Sequence, residues 1–158
     1  MSEVPLHASA QRVADELDRR GARGGVREFA QTTKTSQQAA DALGCDVAAI
    51  ASCLVFMVDD EPVMVIKSGR HRVDLGALAQ AAGGAGARQA TPEEVRSATG
   101  YPIGGVSPVG WPGPLRCFID ASLEEFEEIW SAAGTPNAVF PTTFDELRKL
   151  SGAVPLQL

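Results

Sequence analysis

Apolar and polar positions along this chain change their period several times, and the changes divide it into short elements. Val13 and Leu17 stand four apart, on one helical face, and predict a helix over 9–20 capped by Ser9 and stopped by Gly21. Residues 26–29 read as a short strand. Thr35-Ser36-Gln37-Gln38 has the form of a capping box opening a helix over 37–43, with Gly44 as its stop. The run 51–58, Ala-Ser-Cys-Leu-Val-Phe-Met-Val, is β-rich and almost wholly apolar, the pattern of a central strand buried on both faces. Asp59-Asp60-Glu61-Pro62 then turns the chain into a second strand over 63–66, making a hairpin.

Residues 69–72 form a basic loop, and Asp74 caps a helix over 75–82. The glycines of 83–86 make a loop too short for a domain linker. Thr91-Pro92-Glu93-Glu94 opens a further helix, with Pro at its first position and Glu at the capping-box position, and Gly100 ends it. A strand over 115–119 follows. Next come an acidic amphipathic helix over 123–130, a strand over 138–140 and a last helix over 143–150. Strands and helices mix without strict alternation, and no repeat or heptad is visible. The expectation is one α+β domain spanning 1–158.

Composition adds class and compartment. Hydrophobic residues make up 44% and charged residues 22%, ordinary for a globular protein. The cysteines Cys45, Cys53 and Cys117 are odd in number and lack C-x-x-C spacing, which points to a reducing, cytoplasmic setting. The first ten residues lack the basic start and apolar core of a signal peptide. No apolar run approaches the roughly 20 residues of a membrane span, so no membrane partner is expected. A net charge of −6 argues against a generic nucleic-acid face, and no DNA partner is expected. The charge is uneven, however. Cations gather at the start and at Lys67, Arg70, His71 and Arg72, whereas acids gather at Asp120, Glu124, Glu125, Glu127 and Glu128.

Most catalytic constellations can be set aside. His7 and His71 have no cysteine or acid at ligand spacing, so no metal is expected, and neither a Walker A nor a G-x-G-x-x-G motif calls for a nucleotide cofactor. Ser107 sits among glycines, but Pro108 follows it and has no N–H to give an oxyanion hole. Cys53 lies in a run so apolar that a buried, inert thiol is expected. The segment 99–110, Thr-Gly-Tyr-Pro-Ile-Gly-Gly-Val-Ser-Pro-Val-Gly, allows two readings. Gly104 and Gly105 let bare backbone approach a ligand while Pro102 and Pro108 stiffen it; equally, the segment is a tight structural turn.

Thr99-Gly100, the G-x-x-x-P core from Gly104 to Pro108, Phe118-Ile119-Asp120, Ser68-Gly69 through Asp74-Leu75, and the ending at 134–141 and 144–152 fall in one order along nearly the whole chain. In this order they resemble the YbaK-like aminoacyl-tRNA editing domain, which also occurs inserted in or beside bacterial prolyl-tRNA synthetases. The resemblance implies a curved, barrel-like mixed β-sheet surrounded by helices, with a pocket at one edge. It implies hydrolysis of the ester joining a wrong amino acid, small or cysteine, to the 3′ adenosine of proline tRNA. No cofactor is implied, and the partners would be mischarged tRNA and an aminoacyl-tRNA synthetase.

Carried onto this chain, the resemblance makes Gly104, Gly105, Val106, Ser107 and Pro108 the loop that holds the aminoacyl group. It places Ser52 and Asn137 with Gly104 at the reacting end, Phe29 in a pocket wall, and Lys34, Arg70 and Arg72 as phosphate contacts. Two positions depart from the family pattern. A lysine usually stands two residues before Leu-Val-Phe, where this chain has Ser52, too short to reach as a cation. Asn137 stands where relatives often carry histidine or another polar residue; it can hydrogen-bond but cannot trade protons near neutral pH. Lys34 or Lys67, read as loop lysines, are the alternative sources of a cation. The two functional readings are thus a free-standing deacylase and a binding module that kept the pocket without turnover. A third, less supported, has the acidic helix mediating assembly.

Overall fold

The computed structural model describes residues 7–29 and 35–158; Lys34 lies outside them. The described chain forms five α-helices and an eight-stranded mixed sheet, an α+β fold. In chain order the elements are α1 (Ala8–Arg19), β1 (Arg27–Glu28), α2 (Ser36–Leu43), β2 (Ile50–Val58), β3 (Glu61–Ser68), α3 (Leu75–Ala81), β4 (Ala87–Gln89), α4 (Pro92–Thr99), β5 (Arg116–Asp120), β6 (Ile129–Ala132), β7 (Ala138–Thr142), α5 (Phe144–Ser151) and β8 (Val154–Leu156). The sheet order is β1-β7-β6-β2-β3-β5-β8, with β4 on β2.

Local chemistry explains most boundaries. Thr35 accepts a bond from the Gln38 N–H at 3.1 Å, and the Thr91–Glu94 capping box closes in both directions. Asp74 caps α3 by accepting from the N–H groups of Gly76 and Ala77. The β2–β3 hairpin turns on Asp59 and Asp60, both at positive φ (49° and 65°), the two-residue geometry that matches strand twist. Helix α1 begins one residue earlier than its sequence suggests, because His7 rather than Ser9 caps it through Nδ1.

The hairpin is buried on both faces. Cys53, Val55, Met64 and Ile66 pack with Val13 and Leu17 of α1 and Leu147 of α5. Phe56, Val63 and Val65 pack on the other face with Leu78 of α3 and Phe118 of β5. Each such side chain contributes roughly 1.5–3 kcal/mol by leaving water.

The acidic segment corrects the sequence reading. Residues 123–130 are not a helix. A 3-10 turn over Ala121–Glu125 is followed by strand β6, which pairs in parallel with β2 and antiparallel with β7. Leu123, Phe126 and Trp130 mimic helical spacing, but Ile129 and Trp130 are buried as strand residues within the sheet. The assembly surface imagined on that helix loses its basis. Strands β4 and β8 also escape the sequence pattern.

Candidate functional site: a cavity in the gap beside β2

Among the described residues, the second edge of β2 is only partly covered. Strand β6 pairs with it at Ile50 and Ala51, and β4 pairs with it at Phe56, Met57 and Val58. Between these, a cavity of about 410 Å³ opens along Ser52 to Val55, a size suited to a small organic ligand. The Val55 carbonyl points to this edge, where it accepts from the Ala90 N–H at 3.2 Å. Strand backbone alternates every two residues, so the N–H and C=O of Cys53 turn toward the same gap. A donor and an acceptor are therefore presented to the cavity by rigid backbone.

Trp130 and Ser131 of β6, Ala138 and Val139 of β7, and Ala39 of α2 form one side. Ile103, Gly104, Val106, Thr135 and Pro136 close it from the loop side. Ile103 is 58% exposed, an isolated apolar side chain at the mouth. Among the described residues the lining holds no aspartate, glutamate or histidine, and its one charged group is Lys67. Nor does any group of three or more His, Cys, Asp or Glu among them stand close enough to hold a metal ion.

The loop over 99–110 behaves partly as a ligand wall and partly as a buried brace. Its turn is closed by the Gly105 N–H on the Pro102 carbonyl at 3.0 Å, with Gly104 at φ +86°, the sign a type II turn demands at that place. A Cβ on Gly105 would sit 2.7 Å from the Thr135 Cα, so this glycine lets two backbones touch. Behind the turn, Tyr101 is fully buried and donates its hydroxyl to the Val109 carbonyl at 2.6 Å. Arg12 stacks on its ring at 4.3 Å.

The sequence candidates separate accordingly. Gly104, Val106 and Ser52 line the cavity; Gly105, Ser107, Pro108, Asn137 and Phe29 do not. Asn137 accepts from Thr135 Oγ1 at 2.9 Å and donates to the Phe29 carbonyl at 3.3 Å. It thus ties the end of β1 to Thr135, against which Gly105 rests. Ser107 is fully buried, and its carbonyl accepts from Trp111 Nε1 at 2.9 Å. Arg70 is ion-paired with Glu125 at 2.9 Å, and Arg72 is exposed; neither lines the cavity. Sequence reasoning missed Trp130 and Ser131, because the helix read over 123–130 took in the start of their strand and left Ser131 without an element. Burial raises the Cys53 thiol to about 12, which keeps it neutral and unsuited to nucleophilic attack.

Ser52 bonds to Ser36 at the start of α2, Oγ to Oγ at 2.9 Å. Directly across the hairpin stands Lys67, in strand β3 rather than in a loop. Burial holds its pKa below the ordinary lysine range, although the Asp120 charge works the other way. Asp120 is itself buried and accepts from the Ser68 N–H at 2.9 Å and from Ser122, and it lies 2.7 Å from His71 Nδ1. Burial pushes its pKa up, but these partners outweigh it and hold the carboxyl below its usual value.

A model of the aminoacyl-tRNA editing domain matches residues 30–150. The chain belongs to that family. It is 32% identical to the uncharacterized protein YwhH of Bacillus subtilis over 127 residues, 80% of each chain. It is 33% identical over 90 residues to the proline–tRNA ligase of Nitratidesulfovibrio vulgaris strain DP4, covering 57% of this chain and 16% of that enzyme. Among solved structures, one described provisionally as a trans-editing enzyme for prolyl tRNA synthetase superposes with a TM-score of 0.92 at 42% identity, covering 98% of each chain. The hypothetical protein APE2540 superposes with a TM-score of 0.85 at 27% identity, over 92% of this chain and 97% of that one. The α+β fold and the editing-domain assignment expected from the G-x-x-x-P segment are thus shown. Among the described residues no helix is long and apolar enough to cross a membrane.

Proposed function

We propose that this protein is an aminoacyl-tRNA deacylase acting in trans, with the cavity beside β2 as its active site. The observation that carries the reading is the position of the G-x-x-x-P turn. Gly104 and Val106 close a largely neutral cavity whose floor is the edge of β2 left unpaired among the described residues. The match along 98% of a solved relative described as a trans-editing enzyme supports a free-standing mode of action. The ligase relative supports tRNA(Pro) as the nucleic-acid partner and the synthetase as its source.

The reaction is ester hydrolysis. Water attacks the carbonyl carbon, the bond to the ribose oxygen breaks, and the water proton ends on that oxygen, releasing amino acid and tRNA. Among the described residues the wall has no carboxylate or imidazole, so it offers no counter-charge to a basic aminoacyl side chain, and the substrate is read as carrying a small one or cysteine. It also leaves the proton to solvent or to the substrate's own ribose hydroxyl. Catalysis then rests on holding the ester and stabilising the oxyanion. Asn137 acts by holding Thr135 against Gly105, and Phe29 by anchoring Asn137. Arg70 and Arg72, which lie outside the cavity, and Lys34 are proposed contacts for the tRNA backbone.

The test is a panel of tRNA(Pro) charged with alanine, serine, cysteine, threonine or proline. The expected result is release of one non-cognate amino acid well above buffer, with Pro-tRNA(Pro) spared. Buffer-level release for every substrate would leave the second reading, a binding module, whose motivation is the neutral Ser52 at the reacting end.

A further inference from the structure

We propose that Lys67 supplies the positive charge of the site, standing across the β2–β3 ladder from Ser52 and stabilising the anionic oxygen of the tetrahedral intermediate formed from the aminoacyl ester. This rests on the deacylase reading above and adds its electrostatic centre.

Three observations lead to it. Ser52 and Lys67 are directly opposed in an antiparallel ladder. Opposed residues share a face with Cβ atoms about 4.5–5.5 Å apart, so a lysine stem from one position sweeps the space in front of the other. Both residues line the cavity, and Lys67 is the single charged group in its described wall. Finally, its ammonium has no acid of its own. It donates to the Ser68 carbonyl at 3.3 Å, and among the described residues no carboxylate lies within ion-pair distance. The nearby Asp120 is taken up by His71, Ser68 and Ser122.

A half-buried ammonium held without a counter-ion costs free energy in the empty site and recovers it when an anion forms beside it. The short Ser52 side chain, bonded to Ser36, leaves the lysine room to reach across. The cation thus enters the cavity from β3 where it would otherwise be expected from β2.

Two experiments on the full chain test this. In the first, deacylation rates are compared for wild type, Lys67→Met, Lys67→Arg and the double variant Ser52→Lys/Lys67→Met. Lys67→Met is expected to lose about 10²- to 10³-fold in kcat with KM little changed, as for loss of one oxyanion donor. Moving the lysine across the ladder in the double variant should recover at least about tenfold of that loss, since the charge returns to the same space. A Lys67→Met rate within about threefold of wild type, or a loss carried by Lys34→Ala instead, overturns the proposal.

The second experiment uses adenosine 3′-(α-aminoethyl)phosphonate, whose tetrahedral anion mimics the intermediate. Lys67→Met should weaken its binding at least about tenfold. Wild-type affinity should fall on the alkaline side, below the ordinary lysine range, and Lys67→Arg should move that limb to higher pH. If wild type releases no amino acid from any tRNA yet binds the phosphonate through Lys67, the deacylase reading fails and the site stands. Equal phosphonate binding by wild type and Lys67→Met overturns the site itself.

Discussion

The two ends of the cavity are built on different principles. At the loop end, residues 99–110 are shaped by packing. Tyr101, Val106, Ser107 and Val109 are buried, Gly105 lies backbone to backbone on Thr135, and the only exposed large side chain is Ile103. At the hairpin end, Ser36, Ser52 and Lys67 present hydroxyls and a charge to the cavity from regular secondary structure. On the proposed reading, the loop fixes where an ester can lie and the hairpin end supplies what can act on it. Substitutions at the loop end should therefore change stability and activity together, whereas those at the hairpin end should change activity with less cost to the fold.

The largest expected effect is at Tyr101. Tyr101→Ala removes a fully buried ring, its bond to Val109 and the surface Arg12 stacks on, and should cost about 3–5 kcal/mol in urea unfolding, with activity falling in parallel. A variant of near wild-type stability and no activity would break the comparison, since it would make the loop a chemical element.

Asp120 braces the hairpin end from behind. Asp120→Asn should cost about 1.5–3 kcal/mol, the worth of hydrogen bonds to a charged group. The folded-state pKa of Asp120 is depressed, so its contribution is present above the unfolded value near 3.9 and is lost as pH falls through the lower folded value. Unfolding measured downward from about pH 4 should show the wild-type advantage over Asp120→Asn shrinking as the carboxyl takes up its proton. An advantage undiminished by strong acid would refute a carboxylate held charged by these partners.

Gly105→Ala should cost about 1–3 kcal/mol, because the new methyl meets Thr135 backbone rather than a movable side chain. Deacylation should fall by more than stability alone explains, as Thr135 and Gly104 both line the cavity. The smallest effect is Ser52→Ala. Loss of its bond to Ser36 should cost about 0.5–1.5 kcal/mol by thermal or urea unfolding and leave the hairpin register intact.

Much of this protein was legible from local chemistry. The caps at Thr35, Asp74 and Thr91 marked helix starts because they act within three or four residues of themselves. The apolar run of β2 declared a strand buried on both faces. The G-x-x-x-P segment pointed to the loop side of the site, and Gly104 and Val106 do line the cavity. The acidic stretch misled because Leu123, Phe126 and Trp130 fit helical spacing as well as the 3-10 turn and strand they occupy. Residues 129–132 pair with partners about 80 positions away in β2 and 10 away in β7, and no local pattern records such pairing.

Sequence by itself determined the α+β class, the stiff glycine-proline turn and the absence of a lysine at position 52, since these depend on residue type and near neighbours. Only the tertiary structure decided that β2 keeps a stretch of edge unpaired among the described residues, that Asn137 ties Thr135 to the end of β1, and that Lys67 stands across the ladder from Ser52. Those outcomes depend on strand register, and register is set by packing between segments far apart in the chain.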